Sequence, residues 1–277
     1  MRGMTVDPET LLRLTVLGCS TAAPHIDSPA AGFLVEWGST AIMLDAGQGT
    51  VRRLQRVLDP HDLSALVIGH MHADHYLDIV GLRYLYAWGE ATPEPLPVHI
   101  PPGGRARVDQ LAAAVSERAG FFDAAFDVVE YDPDVPLAVG PLTLRFITSQ
   151  HYVPAWGVVV EAPDGARIAY TGDTGPSDRV VDAVRGVDLL LVEAALRLTS
   201  HDDPRRGHLT AEEAIELAVG ADVSSALLVH YQPARRAEIA ALCAQVGPWI
   251  RPALAGLTVT VGPGAGGDDR DPRTGAR

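Results

Sequence analysis

A β-hairpin, a helix and a buried strand follow one another twice along this chain, and this repeat limits its fold more than any other feature. The first hairpin spans residues 32–45 and the second spans residues 158–170. Each is followed by helical apolar spacing and then by an apolar run of strand length, residues 65–68 and residues 187–192. The repeat predicts an α/β fold with two sheets packed face to face and helices outside, an αββα sandwich.

The remaining pattern predicts one domain between two unstructured ends. Thr210 and Glu213 have the spacing of a capping box at the start of another helix. No linker-like stretch interrupts residues 11–262, so we expect a single domain there. Residues 1–10 are expected to form a flexible N-terminus, and residues 263–277, rich in Gly, Pro, Asp and Arg, a disordered tail.

Three histidines and an aspartate lie within six residues, directly after a predicted buried strand: His70, His72, Asp74 and His75. Open sheets place their ligands beyond the carboxyl ends of their strands. Neutral imidazoles and a carboxylate are donors that Zn²⁺ accepts, whereas packing gains little from them. The cluster therefore favours a metal site over its alternative, a solvated polar loop that happens to be rich in histidine.

Four side chains cannot close two metal sites, so a dinuclear centre needs ligands from elsewhere. His151, Asp173 and His230 each follow a predicted strand or hairpin. Taken singly, each has another explanation: a loop histidine, a turn former and a histidine at the core edge. Their shared position at strand ends favours the interpretation as ligands.

The spacing of His70, His72, Asp74 and His75 resembles the HxHxDH signature of the metallo-β-lactamase superfamily, and later landmarks occur in family order from residue 14 to about 261. The resemblance implies the metallo-β-lactamase fold, a four-layer αββα sandwich with mixed sheets. It also implies two divalent ions, with Zn expected and Mn or Fe as alternatives. The implied ligands are His70, His72 and His151 for the first ion, Asp74, His75 and His230 for the second, and Asp173 as the bridge.

Within the superfamily the chain is most similar to the ribonuclease Z-like branch, which includes small bacterial phosphodiesterases acting on cyclic nucleotides. Residues 44–50 match near the start, and the segments around Glu193 and His208 resemble two loops that hold a catalytic Glu and His. The resemblance implies that His208 is a general acid oriented by Glu193, and that Asp74 orients a metal-activated hydroxide. A loop residue beside the helix cap at Thr210 is the other explanation of His208.

The net charge and the lack of a tRNA-binding arm point to a small substrate. The net charge of −13 disfavours strong nucleic-acid binding. Residues 103–131 lack the Gly-rich, basic arm with which ribonuclease Z holds tRNA, and instead predict a short helix ending at Gly120. We therefore expect a dinuclear metal-dependent phosphodiesterase that hydrolyses a small phosphodiester, such as a cyclic nucleotide or cyclic phosphate.

Three alternatives remain. A metallo-hydrolase of a carbon ester, thioester or lactone/lactam bond would keep the metal site, and a tRNA 3′-processing endonuclease is less well supported. A metal-binding scaffold without activity is disfavoured by a complete ligand set.

Cysteine content and hydropathy predict the compartment. Cys19 and Cys243 are the only cysteines, which we expect to be buried in a protein of a reducing compartment. No run of 18 apolar residues and no signal-type segment occurs, so we expect a cytoplasmic protein with no membrane partner. A homodimer stays open, since nothing in the sequence marks an interface.

Overall fold

The computed structural model describes residues 11–23, 25–87, 94–199, 205–262 and 265–270. The strands are β1 (Leu12–Gly18), β2 (Gly32–Trp37), β3 (Thr40–Leu44), β4 (Ala65–Val67), β5 (Leu96–Ile100), β6 (Phe126–Glu130), β7 (Leu137–Val139), β8 (Leu142–Thr148), β9 (Trp156–Glu161), β10 (Arg167–Tyr170), β11 (Leu189–Glu193), β12 (Ala226–Val229), β13 (Ile250–Pro252), β14 (Thr258–Gly262) and β15 (Ala265–Arg270). The α-helices are α1 (Thr50–Leu54), α2 (Ala73–Tyr76), α3 (Ile79–Ala87), α4 (Gly104–Val115), α5 (Asp178–Ala183), α6 (Ala211–Gly220) and α7 (Arg236–Ala244).

The strands form two mixed sheets. The first has the order β15-β14-β1-β2-β3-β4-β5-β6, and the second has the order β13-β12-β11-β10-β9-β8-β7. In the first sheet the pairs from β3 to β6 are parallel, and in the second the pairs from β10 to β13 are parallel. The change from antiparallel to parallel pairing falls after the hairpins β2–β3 and β9–β10, so the structure confirms the repeat predicted from the sequence.

Helices cover the outer face of each sheet. Leu34 of β2 and Leu66 of β4 pack in a cluster with residues of α1, α3 and α4. Phe33 and Val35, the neighbours of Leu34, lie instead in the core shared with the second sheet and with α5, α6 and α7. Burial on both faces explains the continuous apolar runs of these strands. The expected four-layer αββα sandwich is confirmed.

One helix is shorter than its sequence pattern predicts. The expected helix ends at Gly120, whereas α4 ends at Val115. Ser116 adopts extended backbone with φ −154°, and its hydroxyl accepts the N–H of Arg118 at 3.0 Å. This local hydrogen bond replaces the next helical turn. The capping box of α6 is confirmed, because Thr210 and Glu213 exchange both hydrogen bonds, at 3.3 and 3.0 Å.

The ends of the chain give a mixed outcome. Where the composition predicts a disordered tail, β15 pairs with β14, because backbone groups of an edge strand can pair whatever the side chains are. Residues 1–10, 263–264 and 271–277 lie outside the described residues, so their flexibility and the single domain stay predictions. Cys19 and Cys243 are buried and unbridged, as expected. None of the described helices has the length and apolar content needed to cross a bilayer.

Candidate metal centre

Each predicted ligand lies just beyond the carboxyl end of a strand. These strands are β4 for His70, His72, Asp74 and His75, β8 for His151, β10 for Asp173 and β12 for His230. The strand pairing gives β8, β10 and β12 one direction, so their carboxyl ends share an edge. A bridge between His70 and Ala155 ties β4 to that edge. A Cβ at Gly69 would meet the Trp156 carbonyl at 2.6 Å, so only glycine allows this approach.

One group of ligand atoms comes from His70, His72 and His151. His72 Nδ1 lies 3.1 Å from His70 Nε2 and 3.0 Å from His151 Nε2. His151 Nδ1 lies 2.8 Å from the Gly207 carbonyl, which can only accept, so the lone pair of His151 is on Nε2 and faces the cluster. Burial lowers the pKa of all three imidazoles, which therefore stay neutral nitrogen donors.

A second group comes from Asp74, His75 and His230. Asp74 Oδ2 lies 3.1 Å from His230 Nε2 and 3.7 Å from His75 Nε2. Burial raises the pKa of Asp74, but the hydrogen bond from His230 and the charge of His75 bring it below its ordinary value. His230 has φ 50°, a left-handed conformation that is uncommon outside glycine and recurs at functional sites.

Asp173 lies between the two groups. Its Oδ2 is 3.4 Å from His75 Nε2 and 3.7 Å from His70 Nε2, and its Oδ1 is 3.5 Å from His230 Nδ1. Burial raises the pKa of Asp173, but the facing imidazoles of His230 and His75 outweigh burial and bring this pKa well below its ordinary value. A carboxylate within reach of donors from both groups fits the bridging position that the sequence predicts.

The cluster fits a divalent metal. Among the described side chains, His75 Nε2, Asp173 Oδ1 and His230 Nδ1 face the cluster and are buried without a hydrogen-bond partner. Leaving such a group unpartnered costs about 1–3 kcal/mol. A cation that accepts lone pairs from these side chains would offset this cost, and nitrogen and oxygen donors suit Zn²⁺, Mn²⁺ or Fe²⁺.

Asp45, which the sequence analysis did not assign to the site, orients one of the ligands. Its Oδ2 lies 2.7 Å from His75 Nδ1 and accepts from the Tyr170 hydroxyl at 3.0 Å, while its Oδ1 accepts from the Gly69 N–H at 2.8 Å. This places the proton of His75 on Nδ1 and leaves Nε2 facing Asp173. Burial lowers the pKa of His75, but Asp173 and Asp45 together raise it well above its ordinary value.

We expect Asp45→Asn to weaken metal affinity about 10- to 100-fold, because an amide has one accepting oxygen and cannot keep the bonds of His75 and Tyr170 on one side together with that of Gly69 on the other. A competition titration against a chelating dye measures the change. Asp134→Asn, at an exposed aspartate, serves as the matched control and should leave the affinity unchanged. Equal affinities of the two variants would remove Asp45 from the site.

A second buried carboxylate lies beside the cluster. Glu193, fully buried at the end of β11, accepts from the backbone N–H groups of Thr174 at 3.0 Å and Ala195 at 2.9 Å. Its Oε1 lies 2.8 Å from His208 Nδ1. The ring of His208 stands edge-on to that of His151, with 4.9 Å between their centroids. Glu193 and His208 therefore form the pair that the resemblance implies, at the border of the ligand cluster.

His208 also belongs to a compact group with Asp173 and His230, so a ligand role has to be considered. Its Nδ1 lies 4.0 Å from Asp173 Oδ2 but only 2.8 Å from Glu193 Oε1. A nitrogen whose proton is given to a carboxylate cannot donate its lone pair to a cation at the same time. His208 Nδ1 is therefore not a ligand atom, whereas its Nε2 is left open by the contact with Glu193, as Nε2 of His75 is beside Asp45, so the proton-transfer role of His208 stays a prediction.

The comparisons with known proteins agree with this architecture. A family model described as the Beta-lactamase superfamily domain matches residues 40–231, a range that contains every predicted site residue. The chain belongs to the metallo-β-lactamase superfamily. The protein Rv1339 of Mycobacterium tuberculosis is 35% identical over 233 residues, which cover 80% of this chain and 81% of that protein. Ribonuclease Z of Ignicoccus hospitalis is 27% identical over 269 residues, covering 79% of this chain and 87% of the relative.

Solved structures of the metallo-β-lactamase superfamily have the same fold. YhfI of Bacillus subtilis, a metallo-β-lactamase fold protein, superposes with a TM-score of 0.78 at 22% identity, covering 90% of this chain and 99% of that one. A diphosphatase of the PhnP family superposes with a TM-score of 0.71 at 16% identity, covering 89% and 96%. The family and the fold expected from the sequence are confirmed, while the individual roles of the site residues stay predictions.

Proposed function

We propose that this chain is a metal-dependent phosphodiesterase that acts on a small phosphodiester, such as a cyclic nucleotide or cyclic phosphate. The hydrogen-bonded pair of His208 and Glu193 beside the ligand cluster carries this proposal. An alkoxide leaves a phosphodiester poorly unless it is protonated, and an imidazole can donate a proton near neutral pH. An activated ester, thioester or lactam needs such an acid less.

The side chains have distinct tasks in this proposal. His70, His72, His151, Asp173, Asp74, His75 and His230 would hold two divalent ions. When bound, such ions activate water for attack and neutralise charge on the phosphoryl oxygens. Asp74, held by His230 at 3.1 Å, would accept a hydrogen bond from the attacking water and orient it. Glu193 would hold Nδ1 of His208, so that the proton for the leaving oxygen is carried on Nε2.

An open cavity next to this pair supports a small substrate. The cavity has a volume of about 570 Å³ and is lined by residues that include Gln150, His151 and Tyr152 on one side and Arg206 and Gly207 on the other. This volume lies within the range of about 300–1,000 Å³ for small-molecule sites. The ring of Tyr152 lies 5.7 Å from that of His208, so a ligand in the cavity would adjoin the proposed acid.

The relatives and the net charge support chemistry at phosphorus with a small substrate. Two of the similar proteins are a ribonuclease and a diphosphatase, and enzymes of both kinds cleave bonds to phosphorus. The net charge of −13 disfavours a long nucleic acid. In residues 104–115, where ribonuclease Z would carry its tRNA arm, this chain has the helix α4.

A substrate panel tests the proposal. We expect the purified protein, loaded with Zn²⁺ or Mn²⁺, to hydrolyse bis(p-nitrophenyl) phosphate and at least one of a set of cyclic nucleotides and ribose cyclic phosphates. Pre-tRNA, acyl thioesters and lactones complete the panel. Turnover of thioesters or lactones without turnover of any diester would select the carbon-ester hydrolase instead, and rapid cleavage of pre-tRNA would select the endonuclease.

A further inference from the structure

We propose that a second cavity, formed by the segment after β1 and by α1, binds the phosphate group of a small anionic ligand. This arginine cavity has a volume of about 330 Å³, and its basic lining residues are His25, Arg52, Arg53 and Arg56. No function has been assigned to it above, and it shares no lining residue with the cavity beside His208.

The three arginines of the cavity have no carboxylate partner among the described residues. Acidic residues outnumber basic ones in this chain by 35 to 22, so partners are abundant. Arginines elsewhere use them: Arg13 pairs with Glu36 at 2.6 Å, and Arg206 pairs with Glu213 at 2.7 Å. Three guanidinium groups around one cavity repel one another, and a bound anion would offset that repulsion.

The Asp27 carboxylate, which lies close to His25, does not neutralise the cavity. Asp27 Oδ2 lies 3.9 Å from His25 Nδ1, but the Asp27 side chain is 82% exposed. Asp78 contacts α1 at its other end, where it accepts from the Val51 N–H at 2.9 Å. Cations at a helix carboxyl end also interact favourably with the helix dipole, and this explains why an arginine stands at position 52 or at position 53, each taken by itself. The dipole does not account for the cavity that they share with Arg56 and His25.

The cavity lies at the same edge of the first sheet as the metal centre. β1 and β3 run in the same direction, because each is antiparallel to β2, so both segments that form the cavity leave the sheet at the edge where His70 lies. The Ala30 N–H bonds to the Gln48 carbonyl at 3.1 Å, and the Ala46 N–H bonds to the His75 carbonyl at 2.6 Å. Backbone hydrogen bonds thus link the segment after β1 to the loop between β3 and α1, and link that loop to the segment that carries the metal ligands.

Phosphate is the anion that suits this lining. A guanidinium group presents parallel N–H donors that match two phosphate oxygens, and a dianion compensates more of the three positive charges than a carboxylate does. Two sources share this chemistry. The phosphate could be a non-reacting group of the substrate itself, or it could belong to a separate small molecule that binds beside the site.

The test uses the full-length, Zn-loaded protein and glycerol 1-phosphate, a simple phosphate monoester. In arginine side-chain Nε–Hε spectra, we expect saturable shifts of Arg52 and Arg56 on titration. The double variant Arg52→Gln/Arg56→Gln should bind glycerol 1-phosphate at this cavity about 100-fold more weakly, as followed by the Nε–Hε shift of Arg53, since two charge-assisted contacts are lost. Arg118→Gln/Arg179→Gln, which changes the net charge equally at two exposed arginines, should bind like the native protein.

Absence of saturable shifts, or equal binding by the two double variants, would overturn the proposal. If binding is confirmed, inhibition kinetics identify the source. If glycerol 1-phosphate competes with a diester substrate, and this competition disappears in Arg52→Gln/Arg56→Gln, the cavity binds a phosphate of the substrate. If glycerol 1-phosphate binds without competing, the cavity binds a separate ligand. The spectra do not depend on turnover, so this proposal and the proposed phosphodiesterase activity can fail independently.

Discussion

Replacing Asp173 by alanine is expected to remove bound metal and to lower the hydrolytic rate by about 10³-fold or more. Asp173 is 2% exposed, and its Oδ2 lies within 3.9 Å of imidazole nitrogens of His70, His75 and His151. Among the described residues it is the one carboxylate with oxygens within 4.0 Å of imidazole nitrogens of both ligand groups. Without it, two dications would meet a buried set of mostly neutral donors, and their mutual repulsion would be poorly compensated.

Metal content per chain, measured by inductively coupled plasma mass spectrometry after reconstitution, tests this expectation together with the rate on bis(p-nitrophenyl) phosphate. Asp173→Asn keeps one oxygen donor but loses the charge, so it should retain more metal than Asp173→Ala. Asp134→Ala, at an exposed aspartate, is the control for loss of one carboxylate. Native metal content and rate in Asp173→Ala would exclude Asp173 from the centre.

The sequence predicted the parts of the fold whose pattern is local, namely each hairpin with the helix and the strand that follow it. Each hairpin and the helix and strand after it show their periodicity within about forty residues, and the structure contains both units. The strands β5 and β6 were not predicted. β6 is largely exposed at the sheet edge, with only Phe126 buried, so it lacks the continuous apolar run that marks β11. The order of strands depends on pairing between distant segments, which no local pattern reports.

The site residues also differ in how far the sequence alone predicts them. His70, His72, Asp74 and His75 are close in sequence, so their residue types alone predict a metal site. Asp173 and His230 could be predicted because each follows a strand, and parallel strands gather their carboxyl ends at one edge. The structure brings these side chains into the two groups that the resemblance implied, within 4.8 Å in each group.

Asp45 was missed because its role exists only through contacts across the fold. It meets His75 thirty positions later in the chain and Tyr170 in the other sheet. The repeat held an unused signal, since Asp45 follows the first hairpin as Asp173 follows the second. The arginine cavity was missed for a related reason: Arg52 and Arg56 are exposed and look like a solvated helix face until the segment after β1 is seen to line the same cavity.

Replacing His208 by alanine is expected to slow the hydrolysis of natural diesters by about 10²–10⁴-fold, the usual contribution of a general acid, and to slow that of bis(p-nitrophenyl) phosphate far less. The p-nitrophenolate ion leaves without protonation, whereas a sugar alkoxide does not. Glu193→Gln should show the same dependence on the leaving group with a smaller loss, because the amide still accepts from His208 Nδ1 but no longer stabilises the imidazolium by charge.

Steady-state rates on a series of diesters with leaving groups of increasing basicity measure this effect as a slope. In the native protein the slope should be shallow, and in His208→Ala it should be steep, because proton transfer to the leaving oxygen is lost. His61→Ala, at a partly exposed histidine hydrogen-bonded to Asp59 and away from the cluster, should keep the native slope. Equal losses in His208→Ala across the series would show that His208 contributes binding or metal affinity, because a general acid must matter most where the leaving group is most basic.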